Sequence, residues 1–356
     1  MEAIFTFIIL LITELALTVI LCAVAGICAL CGLSFSSVFS TGLWFLLLPP
    51  LLFLYGAAAE RNIYRVKEVE IRTENLPETF DGYRIAHISD IHLRSFRGRL
   101  RSLKRAVAKI NALAPDAIAM TGDLVTFNPD EIPGCDAVLS ELHAADGVYA
   151  VLGNHDYCLY DRSSTDAEKA ENVKKVEAAE TAMGWKVLGN RHENITRQSD
   201  TINIIGVENI SASPHFFSAG NLAEAMKGAE GKFKILLSHD PTHWRLEVTG
   251  KTDIDLTLSG HTHAMQLSFF DWTPSSLLFQ ECSGLYVYNE LSNNERNNIV
   301  NIGNKNVISK NTTGSGGGNG KNQYLYVNTG LGETGFPVRI GARPEITLIT
   351  LKRRND

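Results

Sequence analysis

The chain has 356 residues, of which 45% are hydrophobic, and a formal net charge of −6 at pH 7. A negative net charge excludes nucleic-acid binding that depends on an overall positive charge. The length allows one large domain with attachments. Three of the six cysteines lie in the apolar N-terminal stretch, and the other three form no Cys-x-x-Cys pair. Neither a disulfide framework nor a zinc knuckle is therefore expected.

Residues 1–60 are predicted to form a two-span membrane anchor. The apolar runs 3–31 and 38–59 each exceed the roughly 20 residues that cross a bilayer, and the short link between them favours a helical hairpin. Pro49 should kink the second helix because proline has no backbone N–H to donate. Glu14 is a costly residue within a span, and we expect it to face the partner helix or to be protonated.

Basic residues flank only one end of this hairpin. Arg61, Arg65, Lys67 and Arg72 follow the second run, whereas the other ends carry no Lys or Arg. Because positively charged flanks stay in the cytoplasm, the asymmetry predicts that everything from residue 60 onward faces the cytoplasm. The expected location is therefore the inner membrane of the cell, with the C-terminal domain on the cytoplasmic side.

After a lead-in segment at 61–80, residues 81–356 show the pattern of an α/β domain. Short runs rich in Ile, Val and Leu alternate with helical patterns at 100–113 and 167–183, which favours sheets covered by helices. The tract 291–322 is dominated by Asn, Gly, Ser and Lys, and we expect a flexible insertion there. The strand-like runs are 85–88, 117–120, 148–152, 202–207, 235–237 and 254–258.

Polar side chains that can bind metals follow several of these strands at their C-terminal ends. In an open α/β sheet this is the edge where ligands gather, and β-α-β units of about thirty residues separate the first three positions. Carboxylate, amide and imidazole groups suit hard or borderline divalent metals. The residues are Asp90, His92, Asp123, Asn154, His155, Asp156, His239, His261 and His263.

Each of these motifs has an ordinary explanation when it occurs alone. A single Asp-x-His is common in loops and a single Gly-Asp is a frequent turn, whereas Gly-Asn-His-Asp at 153–156 and Gly-His-Thr-His at 260–263 are rarer. A purely structural explanation does not account for all of these motifs together, each directly after a predicted strand. The sequence therefore predicts a metal site built at the ends of several strands.

In this order the motifs resemble those of the calcineurin-like metallophosphoesterase superfamily, and the hairpin resembles its membrane-anchored bacterial branch. The resemblance covers roughly residues 83–263, and no motif residue is missing. It implies a four-layer α/β sandwich, in which two mixed β-sheets are flanked by helices, with two divalent metal ions at the strand ends. Manganese is the expected metal, and iron and zinc are alternatives.

The resemblance also implies a role for each motif residue. Two sets of four ligands would share the Asp123 carboxylate, which bridges the metals. His155 would stabilise or protonate the leaving oxygen, and Asp156 would orient or charge its imidazole. The first set is Asp90, His92, Asp123 and His263, and the second is Asp123, Asn154, His239 and His261.

A basic run at 93–115 contains no acidic residue and begins directly after a predicted ligand. It is either a solvated helix face or a site that holds anionic headgroups or a diphosphate near the metals. On the second explanation Arg94 and Arg97 would contact the substrate. His243, close behind His239, is a further candidate contact, whereas His87 within its strand is expected to be structural.

Three functions are compatible with the sequence. The first is hydrolysis of a membrane-associated phosphodiester or lipid diphosphate, for which a UDP-2,3-diacylglucosamine pyrophosphatase-like role is the sharpest version. The second is a membrane-tethered phosphodiesterase of soluble nucleotides, and the third is a non-enzymatic scaffold, against which the complete ligand set argues. Substrate selectivity lies in loops that no motif covers, so the sequence does not separate the first two. It also gives no oligomeric state.

Overall fold

A computed structural model describes residues 2–270, 272–289, 298–303 and 322–354. The helices are α1 (Glu2–Leu30), α2 (Phe35–Gly42), α3 (Leu48–Ala58), α4 (Leu100–Ala112), α5 (Asp136–Leu139), α6 (Asp166–Ala182) and α7 (Leu222–Met226). The strands are β1 (Arg65–Thr73), β2 (Arg84–Ile88), β3 (Ala117–Thr121), β4 (Val148–Val151), β5 (Lys186–Val187), β6 (Arg191–Arg197), β7 (Asp200–Gly206), β8 (Phe233–Leu237), β9 (Leu256–Ser259), β10 (Gly284–Asn289), β11 (Asn298–Gly303), β12 (Asn322–Val327) and β13 (Glu345–Arg353).

The strands form two mixed sheets. One has six strands in the order β1-β13-β2-β3-β4-β5 and is parallel except between β13 and β2. The other has seven strands in the order β11-β10-β12-β9-β8-β7-β6, parallel from β12 to β7 and antiparallel at both ends. Residues 61–80 contribute β1, which pairs with β13 along its whole length, so the α/β domain begins before the predicted boundary at residue 81.

Alternation of side chains along the strands builds the hydrophobic layers. In β2, Ile85 packs between the two sheets, whereas Ala86 faces the side covered by α4 and α6. In β7, Ile204 joins the layer between the sheets, and Ile205 packs with α7 and Trp244 on the opposite face. Successive strand residues point to opposite faces, so each sheet is buried on both sides. The result is helices, sheet, sheet, helices, which confirms the predicted four-layer sandwich.

Helix α1 and the α2–α3 pair form the N-terminal hairpin. The segments Thr6–Leu30 and Phe35–Asn62, of 25 and 28 residues, are long and apolar enough to cross a membrane by length and composition. Large side chains such as Leu15, 64% exposed, point outward along them. Helices that are apolar on all sides suit a lipid environment, so the hairpin indicates membrane association. Near Pro49 the helix changes to a 3₁₀ turn, Leu43–Leu47, before α3 begins.

The predicted insertion at 291–322 is not a loop throughout. Asn298–Gly303 forms β11, which pairs antiparallel with β10, and this corrects the expectation for these residues. The β-branched residues Ile299, Val300 and Ile302 explain the strand because such side chains favour extended backbone. Residues 291–297 and 304–321 of the insertion lie outside the described part of the chain.

The hairpin is joined to the domain through the connection between β12 and β13, residues 328–344. Gly56 of α3 packs against it so closely that a Cβ atom there would lie 2.6 Å from the Arg339 carbonyl oxygen. The buried Glu60 carboxylate accepts a hydrogen bond of 3.1 Å from the Gly341 N–H. These contacts fix the base of α3 on the surface of the α/β domain.

The same connection also passes the ends of the strands that precede the predicted ligands. The Leu331 N–H donates to the Ser89 carbonyl at 3.0 Å, and the Gly332 N–H donates to the Asp90 carbonyl at 2.8 Å. One loop therefore contacts both the base of the hairpin and the first predicted ligand.

Replacing Gly56 with valine should loosen the hairpin because the new side chain would overlap residues 338–340. Overpacking of this kind costs about 1–3 kcal/mol. We expect faster amide hydrogen exchange in residues 338–343 of the detergent-solubilised full chain. Gly26→Val is the matched control, since a Cβ atom placed there meets no atom within 4 Å. Equal exchange in the two variants would show that Gly56 does not fix the junction.

Candidate active site

The strand ends that carry the predicted ligands turn through left-handed backbone. Asp90 (φ 50°), His92 (φ 45°), Asp123 (φ 60°), His261 (φ 71°) and His263 (φ 50°) all have positive φ. This region is unfavourable for residues with a Cβ atom, and such strain collects at functional sites, where the surrounding structure imposes it. The turns after β2 and β3 in one sheet and after β9 in the other bring these side chains together.

Asp90, His92, Asp123 and His263 form a first cluster of donor atoms. The His263 Nε2 atom lies 3.2 Å from Asp90 Oδ1 and 3.1 Å from His92 Nε2. The Asp123 Oδ2 atom lies 3.5 Å from His92 Nε2. The fold therefore brings together the four residues expected for one metal.

Asp123, Asn154, His239 and His261 form a second cluster. The His239 Nε2 atom lies 3.2 Å from Asp123 Oδ2 and 3.1 Å from Asn154 Oδ1. The His261 Nδ1 atom lies 2.8 Å from Asn154 Oδ1 and 3.3 Å from His239 Nε2. Asp123 thus faces both clusters, which is the position of a bridging carboxylate.

The spacing and burial of these donors fit divalent metal ions. Atoms bound to one metal at about 2.0–2.2 Å lie roughly 3 Å from one another, which is the spacing within both clusters. Asp90, His92 and His239 have no exposed surface. Carboxylate and imidazole atoms buried this close together need a proton or a metal cation between them, and His239 supplies a proton to Asp123 when no metal is bound.

Local electrostatics also favour metal-binding charge states. Burial raises the pKa of Asp90, but the facing His263 and His239 imidazoles outweigh burial and hold that pKa below its usual range. Burial lowers the pKa of His92 well below its usual value, so its imidazole is neutral. Metals require ionised carboxylates and neutral imidazoles, and Asp90 and His92 already have these charge states. Burial lowers the pKa of His239, but the Asp123 carboxylate outweighs burial and raises that pKa to about 10, so a metal that binds there displaces a proton.

Hydrogen bonds outside the clusters orient the ligands. The His239 Nδ1 atom donates to the Thr121 carbonyl oxygen at 2.7 Å, which turns Nε2 towards Asp123 and Asn154. Partners of this kind fix the tautomer and the ring orientation of a metal-binding histidine. Because Thr121 is the last residue of β3, the strand that precedes Asp123 also orients a ligand from the other sheet.

Asp156 holds backbone in place and does not contact the His155 imidazole. Its carboxylate accepts hydrogen bonds from the N–H groups of Asp123 (2.7 Å) and Gly153 (2.9 Å). Burial and the nearby Asp123 carboxylate raise the pKa of Asp156 to about 7. The partner of the His155 Nδ1 atom is the Thr126 carbonyl oxygen at 2.7 Å. The expectation that Asp156 orients His155 is therefore corrected: the Thr126 backbone carbonyl is the group that orients the imidazole.

Tyr160 is a site residue that sequence reasoning missed. Its hydroxyl accepts a hydrogen bond of 2.9 Å from Asn154 Nδ2, which leaves Asn154 Oδ1 facing the histidines of the second cluster. Its ring centroid lies 4.3 Å from that of His155. Tyr160 follows the Gly-Asn-His-Asp motif by only a few residues, but no motif or spacing rule marks it.

Two further histidines lie inside the domain. His243 is fully buried, with Nδ1 at 2.8 Å from Ser238 Oγ and Nε2 at 3.2 Å from Glu247 Oε2. Its ring is enclosed by these partners, so the expectation that His243 contacts substrate is wrong. His243 instead packs inside the domain. His87 Nε2 lies 2.9 Å from Thr121 Oγ1, in the structural role predicted for it.

The basic run divides into residues that stabilise the fold and residues that are exposed. Arg99 forms an ion pair of 3.4 Å with Glu333 in the β12–β13 connection. The Arg94 guanidinium lies 5.2 Å from the centre of the Phe127 ring, and Arg97 is exposed. Neither Arg94 nor Arg97 is among the described residues that line the cavity next to the clusters. Their contact with substrate therefore stays a prediction.

The two clusters open into one cavity of about 1240 Å³. The domain lines it with Asp123, Asn154, His155, His261 and His263, and the Phe216 ring lies edge-on to His261 at 4.6 Å. Residues of the hairpin line the same cavity. These residues are Ile9, Leu10, Thr13, Leu17, Phe45, Leu48, Pro49, Leu52 and Phe53.

A model of the family described as "Calcineurin-like phosphoesterase" matches residues 83–265, a segment that contains every predicted ligand. The chain belongs to this family. Members of the calcineurin-like phosphoesterase family use a dinuclear metal centre, and the two clusters supply candidate ligands for it. The donor atoms of His155 also lie within 4.8 Å of those of His92 and Asp123.

Several relatives are similar to this chain over a longer stretch than the matched family segment. The "Transmembrane protein with metallophosphoesterase domain" of Danio rerio is 30% identical over 86% of this chain and 62% of its own length. The "Uncharacterized metallophosphoesterase YkuE" of Bacillus subtilis is 29% identical over 85% of this chain and 90% of its own. The "UDP-2,3-diacylglucosamine pyrophosphatase LpxG" of Chlamydia trachomatis is 28% identical over 62% of this chain and 75% of its own. The chain thus spans less than two thirds of the Danio rerio relative.

In this calcineurin-like phosphoesterase, Tyr160→Phe should weaken metal binding because the Asn154 amide loses the partner of its nitrogen and can rotate. Loss of such a support lowers metal affinity by about 10–100-fold. The measurement is a Mn²⁺ titration of the metal-free full chain. Tyr157→Phe is the matched control, since that hydroxyl binds Glu208 at 3.2 Å, away from the clusters. Equal Mn²⁺ affinities in the two variants would show that Tyr160 does not support metal binding.

Proposed function

We propose that the chain is a dinuclear-metal hydrolase that cleaves a phosphodiester or pyrophosphate bond of a membrane-associated substrate. One observation carries the proposal: the two donor clusters open into a cavity that residues of the apolar hairpin also line. A phosphate group suits the end with the metals, and an apolar group suits the end with the hairpin. A phosphorylated amphiphile would contact both.

The metal ligands are proposed to be the residues of the two clusters, with Asp123 shared. Mn²⁺ is the proposed metal, and iron or Zn²⁺ are alternatives, because the donors are oxygen and nitrogen without thiolate. When bound, the metal pair supplies charge neutralisation for the phosphate and an activated water. The ligands are Asp90, His92, Asp123, Asn154, His239, His261 and His263.

His155 is the proposed proton donor to the leaving oxygen. It lines the cavity beside Asp123 and Asn154, where a phosphate bound at the metals would lie. Its Nδ1 atom is engaged by the Thr126 carbonyl, so the proton given to the substrate would come from Nε2. The adjacent Tyr160 ring restricts rotation of the imidazole. Asp156 would contribute indirectly, by holding the backbone from which Asp123 projects.

The sharpest version of this proposal is a UDP-2,3-diacylglucosamine pyrophosphatase-like role. A Chlamydia trachomatis relative bears that name, and such a compound combines acyl chains with a diphosphate. The alternative is a membrane-tethered phosphodiesterase of soluble nucleotides, which would leave the apolar wall of the cavity without a use. A non-enzymatic scaffold is less consistent with two complete donor clusters.

We further propose that the hairpin is integral to the inner membrane and that the domain faces the cytoplasm. Arg61, Arg65, Lys67 and Arg72 at the end of the second helix support this orientation. A lipid-diphosphate or another phosphate ester would then be presented from the cytoplasmic leaflet. The net charge of −6 gives no reason to propose a nucleic acid partner.

Asp123→Asn should lower metal content and activity together because its carboxylate faces both clusters. The assay is hydrolysis of bis(p-nitrophenyl) phosphate by the full chain in detergent with Mn²⁺, and a chelator should abolish it in the wild type. Asp130→Asn, at an exposed position, is the matched control. An Asp123→Asn variant that keeps the wild-type metal content would show that Asp123 is not the bridge. A wild-type chain inactive with Mn²⁺, Fe²⁺ and Zn²⁺ on soluble and lipid phosphates would contradict the proposed function.

His155→Ala should keep its metals and lose turnover by about 10²–10⁴-fold, the usual contribution of a general acid. The loss should be smaller for p-nitrophenyl esters than for phenyl esters, because an acidic leaving group needs no proton. The exposed His143 provides the control variant His143→Ala. Equal losses for both leaving groups would assign His155 to substrate positioning.

A further inference from the structure

We propose that a groove along the hairpin binds the acyl chain of the substrate whose phosphate lies at the metal clusters. This proposal rests on the proposed function and names its substrate class: a phosphate ester or diphosphate with a long alkyl or acyl chain. It assigns to the hairpin a binding role in addition to anchoring.

Both helices of the hairpin contribute to the wall of the cavity. Ile9, Thr13 and Leu17 of α1 recur every four residues, so their side chains line one stripe. The Thr13 hydroxyl donates to the Ile9 carbonyl at 2.9 Å, so its polarity is satisfied within the helix. The second helix faces this stripe with Phe45 and Phe53, among other apolar residues. The wall therefore offers apolar contact without a polar group in need of a partner.

A second groove extends this wall along the hairpin. It has a volume of about 600 Å³ and shares Leu17 and Phe45 with the cavity at the metal clusters. It continues between the helices to Val24 of α1 and Val38 of α2. From Ile9 to Val24 the helix rises by roughly 22 Å at 1.5 Å per residue. This exceeds half of the ~30 Å hydrocarbon core, so the groove could receive a chain that crosses one leaflet.

Exposed apolar residues at the side of the cavity support entry from a bilayer. Phe269 and Leu278 line the cavity and are 46% and 71% exposed, and Phe270, Trp272 and Leu277 beside them are exposed as well. A group of this kind marks an interaction site, and aromatic residues favour the interface of a membrane. Because this loop and the hairpin border the same cavity, lipid could reach the clusters without passing through water.

The chemistry of the two ends selects the occupant. At the metal end, Asp123, Asn154, His155, His261 and His263 offer charge and hydrogen bonds, whereas the groove offers aliphatic and aromatic carbon apart from Ser37 and Thr41. A soluble nucleotide would desolvate its polar base and ribose against that carbon without gaining partners. An acyl chain gains contact along the whole groove. The occupant is therefore the apolar tail of the substrate itself.

The first test compares ethyl and hexadecyl p-nitrophenyl phosphodiesters with the full chain in detergent and Mn²⁺. Leu17→Trp would narrow the groove where it joins the cavity, and Leu15→Trp puts the same ring on an outward position of the same helix. We expect the ratio of kcat/KM for hexadecyl over ethyl ester to fall about tenfold in Leu17→Trp, or ~1.4 kcal/mol. The Leu15→Trp ratio should equal that of the wild type.

The outcomes separate this proposal from the proposed function. If the wild type hydrolyses neither ester, the hydrolase proposal fails. If it hydrolyses both and the two tryptophan variants give the same ratio, the hydrolase proposal stands and the acyl groove is wrong.

A second test does not depend on turnover or on the folding of a variant. A hexadecyl phosphate with a terminal diazirine is bound to the wild-type chain in the presence of Mn²⁺, irradiated, and the labelled peptides are identified by mass spectrometry. We expect labelling of residues near Val24 and Val38, and competition by unlabelled hexadecyl phosphate. Equal labelling by a diazirine hexadecanol that lacks the phosphate would show that bulk lipid fills the groove, and the proposal would be overturned.

Discussion

The site depends on one constraint: oxygen and nitrogen atoms with lone pairs face one another at about 3 Å in a buried space around Asp123. Such an arrangement is unfavourable in an apolar interior unless a cation neutralises it. The surrounding structure is built to impose it. Left-handed turns direct Asp90 and His92 inward, and the Asp156 carboxylate holds the backbone of Asp123. A fold that accepts this strain gains a place where metal binding stabilises the native state.

Much of the fold and of the candidate site could be predicted because the relevant signals are local. Short apolar runs rich in Ile, Val and Leu mark several strands, and the candidate ligands follow them directly. The edge position of β1 could not be predicted, because its pairing with β13 joins the two ends of the domain. The backbone contacts of Asp156, the Tyr160 bond to Asn154 and the enclosure of His243 depend on tertiary packing, which no spacing in one sequence records.

The connection at 328–344 contacts both the base of the hairpin and the candidate metal site. It carries the contacts with Gly56 and Glu60 at the base of the hairpin, and it also packs on Asp90 through Gly332. The buried Arg339 fills its interior and donates to carbonyl oxygens of the same segment, including that of Thr329 at 2.9 Å. A segment with so many internal hydrogen bonds is a stiff spacer. The distance between the hairpin and the two donor clusters is therefore set by the fold and does not vary as it would with a flexible linker.

The position of the cavity along the hairpin indicates at which depth the chemistry would occur. Its hairpin residues run from Ile9 to Leu17 in the first half of α1 and from Phe45 to Phe53 in the middle of the second span, Phe35–Asn62. In a membrane these turns would lie in the leaflet adjacent to the domain, so the metal clusters would stand at the level of the headgroups. A phosphate of a lipid already lies at that level and keeps its tail in apolar surroundings as it binds. A soluble phosphate ester would have to give up hydration to enter between apolar walls. The proposed lipid-like substrate would therefore move along the membrane plane to the clusters, whereas a soluble phosphate ester would arrive from the aqueous side.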